Sequence, residues 1–317
     1  MEYLLHLAIF ICFYTMLAQS LNLAAGVTGL ISLAHAGFYG IGAYTTALLA
    51  LHFGFSFWLN LPIALLISGA IAFLISLVAL RTVEDYFIIC TLGIQVIIYS
   101  VMNNWMDLTR GPLGIPGIPA IQLFGFGIDS KISFLLLSAF FTALVWWLLK
   151  NLFNSGFGKT LVAISEDEIY AQSIGKNVTL SKTIAFTLSA LFAAIPGALY
   201  AHYISYIDPT SFTVSESIFI LSIVIIGGMG NLTGSFLAAA FMVLLPELLR
   251  FVGMPDSIAA NMRQIIYGII LVVVMMTGKN GLKELVSSKN NTVGKKSAWL
   301  ILEIPSPWNK LPRSHLT

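Results

Sequence analysis

Long apolar stretches separated by short polar punctuation run through most of the chain. They lie near 3–24, 30–52, 58–80, 86–102, 132–150, 183–203, 216–228, 233–250 and 264–278. A membrane-spanning helix needs roughly 20 mainly apolar residues, so the pattern predicts an all-α, polytopic integral membrane protein with about 8–10 transmembrane helices. Two places are imperfect. The run 86–102 is short and is interrupted by Gly93 and Gln95. The runs 216–228 and 233–250 are separated by "GGMGNLTG", where each glycine costs a helix about 1 kcal/mol relative to alanine. Irregular backbone at membrane depth is tolerated only where it is buried in protein or lines a cavity. The pattern therefore predicts broken or re-entrant spans.

Composition strengthens this reading. The 317 residues are 58% hydrophobic and 9% charged, with a mean hydropathy of +0.90, whereas soluble domains are about one-quarter charged. So few ionic groups cannot cover a water-facing surface. Cys12 and Cys90 each sit inside an apolar run and read as small packed hydrophobes with no disulfide framework. The stretch "MEYLLHLAIFICFYTMLAQSLNLAAG" has neither a basic first segment nor a small-residue cleavage site, and reads as a retained first span. Residues 1–281 form the expected transmembrane domain, and the polar, proline-containing segment 282–317 reads as a disordered cytoplasmic tail.

Basic residues set the orientation, because they favour cytoplasmic loops. Placing 151–182 in the cytoplasm puts Arg81, Lys150, Lys159, Lys176, Lys182 and the tail cations inside, a split of 12 against 4. The N-terminus is then outside and the C-terminus cytoplasmic, in a cell (inner) membrane.

The tripeptide Gly158-Lys159-Thr160 resembles the end of a phosphate-binding loop. That motif needs a first glycine where this chain has Phe153, and it must follow a buried strand. The segment before it is the end of a span, so the tripeptide reads as part of a loop without nucleotide. Next comes "SEDEIYAQSIG", residues 165–175. Ser165 and Glu168 have capping-box spacing, Glu166 and Asp167 suit a helix N-terminus, and Gly175 suits a C-terminal cap. These signals predict a short cytoplasmic helix over 166–174, with Ile169, Tyr170, Ser173 and Ile174 sharing one face. So short a helix is marginal alone and must dock, either on its own protein or on a partner.

Five blocks, in order along the chain, carry a family resemblance: "NLAAGVTGLISLAHAGFYGIGAYTTALL" (22–49), "DYFIICTLGIQVII" (85–98), "LTRGPLGIPGIP" (108–119), the segment 158–202, and "IIGGMGNLTGSFLAAAF" (225–241). Together they resemble the M-type permease subunits of branched-chain amino-acid ABC transporters. The resemblance implies an importer with two cytoplasmic ATPases, a second related permease and an extracytoplasmic substrate-binding protein. ATP and magnesium would belong to the ATPases, leaving this chain without a cofactor. It also implies that the segment 158–175 contacts an ATPase, with Ser165, Glu166, Asp167, Glu168, Ile169, Tyr170, Ile174 and Gly175 in that region. Gln95 departs from the pattern, standing where an acidic residue is common. A permease for urea or short-chain amides, or a stand-alone channel or secondary transporter, remains the alternative.

Polar and small residues within spans are candidates for lining the translocation pathway: Gln19, Asn22, His35, Gly37, Gly40, Thr91 and Gln95. Hydrogen bonding between helices explains the same residues, and for His35 a bond to a neighbouring carbonyl does so. "RGPLGIPGIP" (110–119) cannot be an α-helix and falls on the outer face, where Gly114, Pro116 and Gly117 could dock the binding protein or simply form a rigid loop. The five histidines have no metal spacing, no catalytic constellation is present, and no basic aromatic patch indicates nucleic acid. Besides proteins, the expected partner is membrane lipid.

Overall fold

The computed structural model describes residues 2–251, except 83, 124, 125 and 129, together with Gly268. The predicted span 264–278, apart from Gly268, and the tail 282–317 lie outside the described residues.

The helices follow the apolar runs closely: α1 Glu2–Asn22, α2 His35–Phe53, α3 Phe57–Ala79, α4 Glu84–Asn104, a single turn α5 Met106–Thr109, α6 Lys131–Asn154, α7 Gly156–Glu166, α8 Glu168–Ser173, α9 Val178–Ile204, α10 Val214–Gly227 and α11 Leu232–Phe251. Among the described residues, five stretches are long and apolar enough to cross a membrane: Glu2–Val27, Phe57–Ala79, Tyr86–Asn104, Lys131–Asn154 and Val178–Ile204. α10 and α11 are shorter apolar helices. The protein is a multi-pass membrane protein.

Two expectations need correction. Gly93 and Gln95 do not interrupt the fourth run, since α4 continues unbroken from Glu84 to Asn104. A mid-helix glycine costs the helix only about 1 kcal/mol relative to alanine, and Gln95 spends its polar groups on neighbours described below. The run 30–52 does not start as helix. α1 loosens into a π-turn over Leu23–Val27, residues 28–34 are irregular, and α2 begins at His35.

Burial sorts the helices into layers. The apolar window of α9 is 72% buried, against 22% for α4 and 28% for α6, so α9 is central and the other two lie at the periphery. α2 is enclosed as well, lying against α9 and α3. Small residues allow the α2–α9 approach. A Cβ on Gly42 would sit 2.6 Å from the Ala194 Cα, and one on Gly197 would lie 2.9 Å from the Ala43 nitrogen. Two apolar clusters share the interior. One joins α2, α9 and α10, including Phe38, Phe186, Phe212 and Ile223, and the other joins α1, α6 and α9, including Phe13, Phe141, Val145 and Leu199.

At one end, two-residue strands tie loops together. β1 (Ile115–Pro116) pairs antiparallel with β4 (Tyr206–Ile207), and β2 (Gln122–Leu123) with β3 (Phe126–Gly127).

Candidate functional site

The site is built around chain breaks. The first four N–H groups of an α-helix lack intrahelical partners, and the residue preceding α2, Ala34, has no side chain that could cap it. Other helices supply the missing acceptors. Ser217 Oγ of α10 accepts from the Ala36 N–H at 3.0 Å, and Gln95 Oε1 of α4 accepts from the Gly37 N–H at 2.6 Å. Gln95 Nε2 donates to the Phe212 carbonyl at 2.8 Å, just ahead of α10. Thr91 Oγ1 accepts from the Leu33 N–H at 3.1 Å. Thr91, Gln95 and Ser217 are all fully buried.

His35, the first residue of α2, is also buried. Its Nε2 lies 2.7 Å from Ser20 Oγ, and that hydroxyl donates to the Leu17 carbonyl at 2.8 Å. With the hydroxyl proton committed, the imidazole Nε2–H donates to Ser20. The histidine thus pins the start of α2 to α1 through the Ser20 hydroxyl and the Leu17 carbonyl beside it.

A second junction joins the π-turn to the break between α10 and α11. α10 ends at Gly228, whose φ of +89° is a glycine conformation. Asn22 bridges the break: its Oδ1 accepts from the Gly230 N–H at 2.7 Å, and its Nδ2 donates to Ser235 Oγ at 2.8 Å and to the Asn231 carbonyl at 3.2 Å. Gly26 must stay small here, because a Cβ would strike Asn22 Oδ1 and the Gly230 nitrogen. Gln19 continues this face of α1, and its Oε1, like Thr15 Oγ1 one turn earlier, is buried without a hydrogen-bond partner. Gly37 and Gly40 are buried as well, with Gly40 against Met102 and Phe212. The structure thus brings Thr91, Gln95 and Gly37 together at the start of α2, bonds His35 there to α1, and sets Asn22 in the other junction.

Between α6 and α9 the chain makes a helical elbow, and here the sequence reading needs correcting. Gly158, Lys159 and Thr160 are not in a loop; they lie in α7, capped by Ser155, whose side chain accepts from the Gly158 N–H at 3.2 Å. α7 continues through Glu166, so Ser165 turns its hydroxyl back to the Val162 carbonyl and forms no capping box. The next residue in extended conformation, Asp167, is the N-cap of α8 and accepts from the Tyr170 N–H at 2.9 Å. The short helix is therefore 168–173, not 166–174. Gly175 does terminate it. With φ +80°, its N–H bonds the Gln172 carbonyl and that of Lys176 bonds the Ala171 carbonyl, a Schellman closure.

The elbow docks on its own protein through Ala171, which packs with Ile164 and Val178, and through an ion pair from Glu168 to Lys182 on α9. Its other face is open: Ile169 is 80% exposed, Tyr170 63% and Ile174 53%.

The loop with Gly114, Pro116 and Gly117 is held to the end of α9. The Gly117 N–H donates to the Ser205 carbonyl at 3.1 Å, the Tyr206 hydroxyl donates to the Leu113 carbonyl at 3.2 Å, and His202 Nδ1 lies 2.8 Å from the Pro119 carbonyl. Gly114 is buried, whereas Pro116 and Gly117 are exposed.

Sequence reasoning missed Glu216, a partly exposed acid in the first turn of α10 whose carboxylate takes a hydrogen bond from the Tyr14 side chain. It also missed Ser20, Ser217 and Asn231. The stretch "TVSE" (213–216) before an apolar run was the one available signal for Glu216, and it reads as a capping box.

Helices broken and re-joined by buried polar side chains, with a capped elbow between two spans, define a polytopic membrane protein of the permease kind. The model of the branched-chain amino acid transport system permease component family matches residues 3–275, and the chain belongs to that family. It is 38% identical over 260 residues to the high-affinity branched-chain amino acid transport system permease protein LivM of Salmonella typhimurium, covering 75% of this chain and 61% of that protein. Its Escherichia coli counterpart is 37% identical over the same shares. The chain thus spans about three fifths of the length of these relatives. The guanosine ABC transporter permease protein NupQ of Bacillus subtilis is 28% identical over 231 residues, 68% of this chain and 71% of that protein.

Proposed function

We propose that this chain is the M-type permease subunit of an ATP-driven importer that carries branched-chain, hydrophobic amino acids inward by alternating access. The observation that carries the reading is the elbow. In a member of this permease family, a capped helix between two spans keeps three large apolar side chains in the open, and an exposed apolar patch marks an interaction surface. Two cytoplasmic ATPases would take that face, with ATP and magnesium bound in them. The Glu168–Lys182 pair would pass their movement to α9, and from there to α2. A second related permease completes the membrane part. An extracytoplasmic binding protein delivers substrate to the face bearing Gly114, Pro116 and Gly117. In this reading the N-terminus is outside and the elbow cytoplasmic, which puts Arg81, Lys150, Lys159, Lys176 and Lys182 on the side that basic residues favour.

The cargo has a second reading. A relative of 28% identity carries guanosine in its name, so family membership does not tie the route to amino acids.

The test is purification of the tagged chain in mild detergent, followed by reconstitution and measurement of labelled leucine uptake. The wild type should bring down two ATPases and a second permease and import leucine only with ATP. Glu168→Lys combined with Ile169→Asp should lose the ATPases while keeping the permease partner. Wild-type chain recovered without ATPases, under conditions that preserve other such complexes, would refute the ABC assignment in favour of a lone carrier.

A further inference from the structure

The two sides of α4 differ. Phe87, Thr91, Gln95 and Met102 are buried against the rest of the chain. At about 100° per residue, Tyr86, Gly93, Ile97, Ser100 and Asn104 form a stripe on the opposite side, across from Gln95. This side is open. Tyr86, Ile89, Ile97 and Trp105 are each more than half exposed, and an open groove runs along it, lined by Val96, Ile97, Ser100, Val101, Asn104 and Trp105.

Gly93 stands at the middle of this 21-residue helix, where a glycine costs about 1 kcal/mol relative to alanine. Other span glycines are used within the chain: Gly37, Gly40, Gly42, Gly69 and Gly197 each have atoms of another segment within 4 Å of the place a Cβ would take. Around Gly93 there is open space. Two turns on, Ser100 follows on the same stripe, and Asn104 Nδ2 donates to the Ser100 carbonyl at 2.9 Å. α3, whose apolar window is 33% buried, shows a different outer face. Its Asn60, Ser68, Gly69 and Ser76 are buried, and none of its exposed residues is a glycine or carries a hydroxyl, amide or charge. That face suits lipid. The α4 face suits another helix, because membrane helices associate through small residues that let backbones approach and through hydroxyl and amide hydrogen bonds. From Tyr86 to Trp105 it leaves on the order of 700–800 Å² of side-chain surface bare, about one partner's share of a standard interface.

We propose that the outer face of α4, centred on Gly93, is covered by a transmembrane helix of the second, related permease. This rests on the permease reading above and adds the face on which the two permeases meet. The partner's backbone closes on the notch at Gly93, and its side chains fill the groove between Ile97 and Trp105.

The experiment uses the complex of this chain with its partner permease and ATPases, purified in mild detergent. The photoreactive residue p-benzoylphenylalanine replaces Ile97 on α4 or, as a control, Leu66 on the outer face of α3. Adducts formed on illumination are sized and mapped by mass spectrometry. Ile97 should cross-link to the second permease, and Leu66 should give no protein adduct. Gly93→Leu points into open space within the chain, so the chain alone should elute as wild type. Recovery of the second permease should fall about tenfold, as overpacking of a close contact requires. Three results, with the second permease co-purifying, would each overturn the assignment and leave the permease reading standing. They are an Ile97 adduct with this chain's own segment 264–278 or with a second copy of this chain, an Ile97 adduct with lipid alone, and undiminished recovery of the second permease with Gly93→Leu. Wild-type chain recovered without any second permease would sink both.

Discussion

Replacing Asn22 by alanine tests whether the junction at the α10–α11 break is held by one side chain. The change removes three hydrogen bonds: from the Gly230 N–H at 2.7 Å, to Ser235 Oγ at 2.8 Å and to the Asn231 carbonyl at 3.2 Å. They do not weigh equally. The Asn231 carbonyl still receives the Ser235 hydroxyl at 3.1 Å, so the long third bond is largely replaced. The remaining two are worth about 0.5–1.5 kcal/mol each by the general scale, and bonds between membrane helices average nearer 0.6 kcal/mol. Asn22→Ala should therefore destabilise the protein by about 1–3 kcal/mol. The assay is unfolding by sodium dodecyl sulphate in mixed micelles, followed by circular dichroism, on the single variant, on Ser235→Ala and on the double variant. Residues in contact couple by about 0.5 kcal/mol or more, while independent sites add to within about 0.3–0.5 kcal/mol. A single variant within about 0.5 kcal/mol of wild type, or strict additivity with Ser235→Ala, would refute the clamp.

Other substitutions probe the remaining joints. Asp167→Ala should speed hydrogen exchange at the Tyr170 amide and cost α8 about 1 kcal/mol, whereas Ser165→Ala should leave that amide unchanged. Gln95→Leu strands the Phe212 carbonyl and leaves the Gly37 N–H only its bond to the Ala34 carbonyl at 3.1 Å, and should lower stability by about 1–3 kcal/mol in the same micelle titration, with Gln95→Glu, which keeps the acceptor for Gly37, costing less. Gly42→Val should overpack the α2–α9 contact by about 1–3 kcal/mol, read as lower yield of monodisperse protein on gel filtration, while Gly93→Ala, with open space around it, should be neutral or stabilising.

The helices were legible because the apolar runs are long and the bilayer sets a single length scale; the break at "GGMGNLTG" was legible because glycines penalise helix. The caps were legible in kind but not in register. Ser165 and Asp167 are both good caps, and which one serves depends on how far α7 extends from Ser155. What could not be read were the partners of buried polar groups. His35 bonds Ser20 and Gln95 bonds Gly37 and Phe212, contacts between helices whose packing no local pattern encodes. Tyr14 and Glu216 lie on different helices for the same reason, and "TVSE" read alone points to a helix start.

The Asn22 junction also bears on how the chain is made. Its partners are 208 to 213 residues downstream. At ribosomal speeds of about 5–20 residues per second, α1 waits roughly 10 to 40 seconds for α11 to emerge. During that wait Asn22 has none of these partners. α1 therefore completes its polar contacts only after nearly the whole described membrane part has been made, and a chain truncated before residue 230 keeps that asparagine without them.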